Sequence, residues 1–548
     1  MKKFLLTAGI IFILIAVFSV QLKIDNDAGW GTGRIMLAAS GVLFITMGWI
    51  SSRFSSNIKS LIRSFLSLNS NIKGRVYLTA AFFISVTVYF FYALPQFQNE
   101  DSYFDYYGRL ATAFRHGQVS LLEEPPQSLL SLSNPYDYQL RYETGVVNEI
   151  PIDVSLYNGK YYFYWGPAPS LFLVMFSDQQ IAQIKDKHIS FIFACGLFFY
   201  MLLTINKLWE RYNTNLPSWF LGVFALVTGL SMPSLWMIRA ANIYDAAVFG
   251  AQFFLIGGLY WTYCGLFKSK AASLNLFIGG IHLALAMGTR ATVWFAIFLS
   301  SAVTLLYLLN DFRLKRDRQA IIKLIAFALP PFLALVLLGW YNYERFDSVT
   351  EFGFRYQLAL ADYSNFTPFS ALYFWSNIHN YFTYPVHLIN KFPYLTPTEN
   401  IASNERLSGL LLTSPILITT VLPLLQQIFV YVKSPNKKIR LDEAWVLLSF
   451  GGGFALMLLT ILFYYYPAVR FIEDFAPLSW LFIFILIAKV FNKNQKSQAW
   501  KAYLNLCIVL GIWSIMASIF LSMPLEYVVK INRTMLQLRN WLLGFGIG

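Results

Sequence analysis

The sequence predicts an all-α polytopic membrane protein, and three observations carry that expectation. Of 548 residues, 57% are hydrophobic, 18% aromatic and only 13% charged, with a mean hydropathy of +0.52. A soluble globule of this length does not read that way. Thirteen apolar stretches approach the roughly 20 residues that a helix needs to cross a bilayer, and the basic residues alternate from loop to loop.

In order, the stretches are 4–22, 34–50, 76–94, 188–206, 216–232, 243–266, 273–288, 290–310, 321–341, 408–432, 443–464, 471–491 and 500–522. With Met1 inside, Arg53, Lys59, Arg63, Lys73 and Arg75 fall on the cytoplasmic side. Lys207, Arg211, Lys268, Lys270, Arg313, Lys315, Arg316 and Arg318 follow them there. So do the cluster from Lys433 to Arg440 and then Lys493, Lys496 and Lys501. This topology puts 24 basic and 5 acidic residues inside against 18 and 23 outside, so the net +14 divides into +19 and −5. That is the positive-inside pattern, and it accounts for the charge without a nucleic-acid partner. An odd number of spans leaves the C-terminus external.

The start, Met1-Lys2-Lys3 and then apolar residues, has the look of a signal peptide. No small-residue cleavage site stands near 18–25 and a second span follows closely, so an uncleaved first helix is expected. Cys195, Cys264 and Cys507 all fall in spans without metal-ligand spacing, as small core residues do. Residues 1–75 then form a two-helix prelude with a basic cytoplasmic linker. Residues 76–522 form the main transmembrane module, with external loops at 95–187 and 342–407, and 523–548 an external tail.

The first external loop reads as ordered. It opens on an acidic pair, Glu100 and Asp101. Tyr103, Tyr107, Leu110 and Phe114 then recur at helical spacing, while Asp105 and Arg109 share the other face four residues apart, which predicts a short amphipathic helix along the membrane interface. Asn158-Gly159 between Val154–Tyr157 and Lys160–Trp165 predicts a two-residue hairpin turn. Gly166-Pro167-Ala168-Pro169 ends the second strand before an apolar segment, 171–176, expected to dip back into the interface. A tyrosine-rich cap without catalytic function would show the same composition.

A transmembrane helix entering a large first external loop, an acidic pair at its start, an interfacial helix and many further spans together resemble the GT-C superfamily of integral-membrane glycosyltransferases. Protein O-mannosyltransferases and bacterial aminoarabinose transferases belong to it. The segments Gly288-Thr289-Arg290, Tyr341 to Phe346 and Arg470 to Pro477 are similar to those of bacterial membrane proteins grouped near it. The resemblance spans residues 76–522. It implies a polyprenyl-linked sugar donor at the outer leaflet, inversion at the anomeric carbon, and Asp101 and Glu100 as the catalytic pair. The acidic pair follows the third span here rather than the first, and no Asp-x-Asp metal motif is evident. The cofactor stays open, with a divalent metal (magnesium or manganese) on Glu100 as the candidate.

The chemistry asks for these residue types on its own account. An acceptor hydroxyl attacking the anomeric carbon must lose its proton to a base within hydrogen-bond reach, a role that Asp101 fits. The departing phosphate needs cations at headgroup depth. Arg290, Arg470 and Arg239 fall at external span ends and are the substrate-binding candidates, with Tyr103 beside the acidic pair. Each arginine also has a bland explanation as an interfacial anchor or an ion-pair partner. Arg470 has Glu473 and Asp474 within one turn, and Arg239 has Asp245 nearby. Lone His282 reads as a satisfied core residue, 373–384 as an aromatic belt, and the charged run from Glu344 to Arg355 as a loop base or acceptor groove. The expected partners are membrane lipid, the donor, and a glycan, lipid or protein acceptor, in a bacterial cytoplasmic membrane. A transporter or flippase of lipid-linked sugars is the rival; it would place ionisable groups near the bilayer midplane.

Overall fold

The computed structural model describes residues 2–19, 67–98, 105–212, 216–267, 271–364, 366–401, 403–433, 440–493 and 498–544, with a few positions between 21 and 46. The acidic pair and Tyr103 lie outside these residues. Among the described residues eight helices have the length and composition to cross a bilayer, from Ser70–Gln98 to Gln498–Leu521. Shorter apolar helices at Leu6–Val17, Ser218–Leu230, Ala272–Met287 and Pro415–Phe429 occupy four more of the thirteen expected stretches. Within 34–50 the described residues are Arg34, 37–42 and 44–46, all helical. The chain forms two compact units, one of residues 1–76, 389–394 and 523–548, the other of 77–388 and 395–522.

In the smaller unit the first helix, Lys2–Val17, ends on Arg34, whose Nε donates to the Ala16 carbonyl at 3.0 Å and supplies a donor to carbonyls left over at a helix C-terminus. The expected tail is largely a helix, Leu525–Gly544, and its Met535 packs with Leu37 and Ala38 on Ala16.

In the larger unit, burial ranks the helices. The most apolar window of Arg470–Phe491 is 94% buried and that of Ile243–Phe267 83%, whereas that of Arg318–Phe346 is only 11% buried. The last exposes Phe332, Val336, Leu337 and Trp340. A helix apolar on all sides yet largely uncovered is stable only where its surroundings are apolar too. Both of the most buried helices begin with charged residues, Asp245 in one and Arg470, Glu473 and Asp474 in the other.

Loop one folds into a small body. Its first helix, Tyr106–Arg115, carries the expected Asp105–Arg109 pair at 2.6 Å. The helix is not laid along an interface, because Tyr106, Tyr107, Leu110, Ala111 and Ala113 are buried. Its apolar face is covered by the helices Ala168–Leu173 and Asp178–Gln183. The hairpin is as expected: β1 (Ser155–Tyr157) pairs antiparallel with β2 (Lys160–Tyr162), and Asn158 and Gly159 at φ 47° and 69° make the turn. Positive φ at both central residues matches the right-handed twist of the strands, which is why Asn-Gly is favoured there. After it, Leu171, Phe172, Met175 and Phe176 are exposed, an apolar patch where the dip was expected.

Loop two is sewn to loop one. Asp153 N–H donates to the Leu358 carbonyl at 3.3 Å, and Leu358 N–H returns the bond to Val154 at 2.8 Å. Arg141, fully buried, donates to the carbonyls of Pro135 and Ala359. Loop two then carries a three-stranded antiparallel sheet, β3 (Val386–Leu388), β4 (Leu395–Asn400) and β5 (Glu405–Leu407). The charged run at its base is largely solvated, with Glu344, Asp347 and Arg355 exposed, but one member is not. Arg345 is buried, donating to the Phe163 carbonyl and to Asn342 Oδ1, with its guanidinium 3.9 Å from the Tyr341 ring centre. The stretch from Tyr373 to Tyr384 is half belt and half core, with Trp375 exposed and Tyr381 buried. His282 is satisfied, bonded to Tyr200 at one nitrogen and to the Ile278 carbonyl at the other.

Candidate functional site

Where loop one meets the helix ends, backbone touches backbone. Ala168 N–H donates to the Gly288 carbonyl at 2.9 Å, and a Cβ on Gly166 would overlap that same carbonyl. Only glycine fits an approach this close. Two residues on, Arg290 emerges from the turn between Ala272–Met287 and Trp294–Lys315.

Arg290 does not stand alone. Its Nε and Nη2 each donate at 2.9 Å to a different oxygen of Asp474, a bidentate pair in which the carboxylate is wholly buried. Thr292 Oγ1 adds a third bond to Asp474 at 3.0 Å. Four residues before Asp474, Arg470 pairs instead with Glu405 of β5 through Nη1 at 2.9 Å, and Tyr466 donates to the same carboxylate at 3.2 Å. The local pairings anticipated above, Arg470 with Glu473 or Asp474 and Asp245 with Arg239, are thus replaced. Glu473 accepts from Ser234 at 3.2 Å, and Asp245 from the Asn242 N–H at 3.0 Å, closing the start of its own helix.

Both guanidinium carbons lie within 5.5 Å of the centre of the Phe471 ring, Arg290 at 5.5 Å and Arg470 at 5.3 Å. Two of the three cations chosen from the sequence are therefore brought together. Arg239 sits 3.9 Å over the Trp236 ring and interacts electrostatically with Tyr92. Arg470 also lies 4.7 Å over Tyr244, the residue before Asp245.

Loop one contributes a carboxylate that sequence reasoning passed over. Asp153 accepts from the Tyr244 hydroxyl and, at 3.2 Å, from Gln357 of loop two. Its backbone is left-handed, φ 57°, a conformation that Asp tolerates better than most residues but that still marks strain. Burial pushes its carboxyl up to about 6, against the opposing pull of Arg470 and the Gln357 bond. A strained, half-buried acid beside a guanidinium is a functional candidate on physical grounds. The only signal in the sequence was its position just ahead of the hairpin. Tyrosines complete the surround. Burial raises Tyr464 and Tyr466 to about 12, so both remain phenols at physiological pH.

The chain next to the acidic pair is held on both sides by three consecutive residues. Lys187 Nζ donates to the Gln96 carbonyl at 2.7 Å, and buried Asp186 accepts from the Tyr106 and Tyr107 N–H groups at 2.9 and 3.2 Å. Lys185 pairs with Asp105 at 3.1 Å. Among the described residues no group of three or more His, Cys, Asp and Glu side chains is placed to hold a metal ion.

No family model and no curated protein sequence matches the chain. Among solved structures it is similar to the apo form of the oligosaccharyltransferase of Archaeoglobus fulgidus. The identity is 12% and the TM-score 0.41, over 82% of this chain and 56% of that one. The chain thus spans little more than half the length of that enzyme, and a likeness at this level fixes neither family nor activity.

Proposed function

We propose that the chain is a GT-C-like membrane glycosyltransferase that moves a sugar from a polyprenyl-phosphate-type carrier to an acceptor at the external face. One observation supports this above the rest. Arg290 and Arg470, from segments 180 residues apart, flank Phe471 at the loop-bearing end of the bundle, and only one of Arg470's guanidinium nitrogens is bonded to a carboxylate. The acceptor hydroxyl gives its proton to Asp101 as its oxygen bonds to the anomeric carbon. The bond from that carbon to the carrier phosphate breaks, inverting the centre, and the phosphate leaves with the electron pair. Arg470 offers it N–H donors, while Arg290, fixed by Asp474, adds positive charge from behind. Glu100 orients Asp101 or would hold a divalent metal beside it, and Tyr103 contacts the substrate. The N-terminus would be cytoplasmic and the C-terminus external, in a bacterial cytoplasmic membrane. Against the flippase, ionisable groups gather at helix ends rather than mid-span.

The test is sugar transfer by the purified chain. Asp101→Asn should lower turnover by at least about a hundredfold with thermal stability unchanged; undiminished turnover removes Asp101 from the reaction. Mass spectrometry of lipids from cells lacking the gene names the donor, as the polyprenyl-linked sugar that accumulates.

A further inference from the structure

We propose that the partly exposed Arg470 takes a carrier with a single phosphate and discriminates against a diphosphate. This narrows the reading above and rests on it for the nature of the carrier.

The argument is an inventory of donors and charges. A guanidinium has five N–H donors in a fixed fork. Arg290 commits Nε and Nη2 to Asp474, a carboxylate with no exposure and hence no other means of neutralisation. Arg470 commits only Nη1, to Glu405, and its side chain remains 22% exposed. Of the other cations at this end, Arg109 and Lys185 are spent on Asp105, Arg115 on Asp178, and Arg345 on a carbonyl and an amide. Arg470 is left to meet an anion. Tyr164 can help it, because its half-buried hydroxyl has no hydrogen-bond partner among the described residues and interacts electrostatically with both arginines.

The two guanidiniums already face an excess of carboxylates. Asp474 and Glu405 neutralise them in pairs, and Asp245 and Asp153 also interact electrostatically with Arg470. A sugar linked through one phosphate brings a single negative charge. A diphosphate linkage brings two, the free carriers likewise differ by about one charge, and the added charge would meet the carboxylates already gathered around Arg470. In a partly desolvated site like charges repel far more strongly than in water.

The full chain in phosphatidylcholine nanodiscs, with EDTA present, should bind undecaprenyl phosphate at least about tenfold more tightly than undecaprenyl diphosphate, a difference of about 1.4 kcal/mol. Arg470→Gln should remove most of the monophosphate affinity. Glu405→Gln, which takes away one carboxylate, should bring the two ligands within about threefold of each other. Equal or tighter binding of the diphosphate by the unaltered chain overturns the proposal, whatever the variants do. So does monophosphate affinity unmoved in folded Arg470→Gln. A chain that prefers the monophosphate but transfers no sugar defeats the transferase reading alone; transfer from a diphosphate carrier defeats this inference alone.

Discussion

The two ends of the bundle use the same chemistry to different ends. At the basic end Glu443 is saturated: it accepts from Lys489 at 2.6 Å, from Arg211 at 3.4 Å and from Tyr212 at 3.2 Å, while Asp442 holds Arg211 at 2.9 Å. Every partner there answers another, and the network ties helix Asp186–Tyr212 to Leu441–Val446 and Arg470–Lys493. At the loop-bearing end Arg470 keeps uncommitted donors and a partly exposed side chain. A saturated cluster is a staple; one with donors to spare can receive a ligand.

Three perturbations separate the ends. The largest effect is expected from Gly166→Val, whose side chain cannot coexist with the Gly288 carbonyl. Loop one must shift from the turn that carries Arg290, and a displacement of about 1 Å suffices for a hundredfold loss of transfer. A turnover assay on folded protein measures it, and full activity would show that the docking is dispensable. Next, Glu443→Ala should leave Lys489 without its carboxylate and lower stability by about 2 kcal/mol, somewhat under the cost of breaking a fully buried pair because these groups are about one-fifth exposed. Unfolding in detergent reads the loss, and undecaprenyl phosphate affinity should not move.

The smallest effect concerns pH. Asp153, which faces Arg470, Tyr244 and Gln357, has its carboxyl raised to about 6. It is ionised above that value and neutral below it, so it competes with an anion for Arg470 only on the alkaline side. Undecaprenyl phosphate should bind a few-fold more tightly to the unaltered chain as pH falls from 8 to 5.5. The lipid's own titration adds to that trend, so the telling quantity is the difference from Asp153→Asn. That variant should bind better at pH 8 and match the unaltered chain at pH 5.5; parallel curves would exclude Asp153 from the site.

What the sequence made legible was local. Asn158-Gly159 sets its own turn, and Asp105 and Arg109 meet because four residues make one helical turn. Arg290 and Arg470 could be picked out because a charge near membrane depth is costly and tends to be paired or functional. Their partners could not. Asp474 lies one turn from Arg470 in the chain, yet bonds to Arg290, 184 residues away, because the packing of the two helix ends decides which guanidinium reaches the buried carboxylate. The first loop-one helix misled for a related reason. An amphipathic pattern shows that one face is covered, not what covers it, and here the cover is protein.

The seam between the two loops changes how the outer face should be pictured. Residues 153–155 and 357–358 are stitched as a miniature ladder, with Arg141 pinned across it. Segments some two hundred positions apart in the chain therefore form one mechanical body. A protease that cut either loop would leave its fragments held in place, and any opening that admits a carrier must move this joint roof as a piece instead of parting it down the middle.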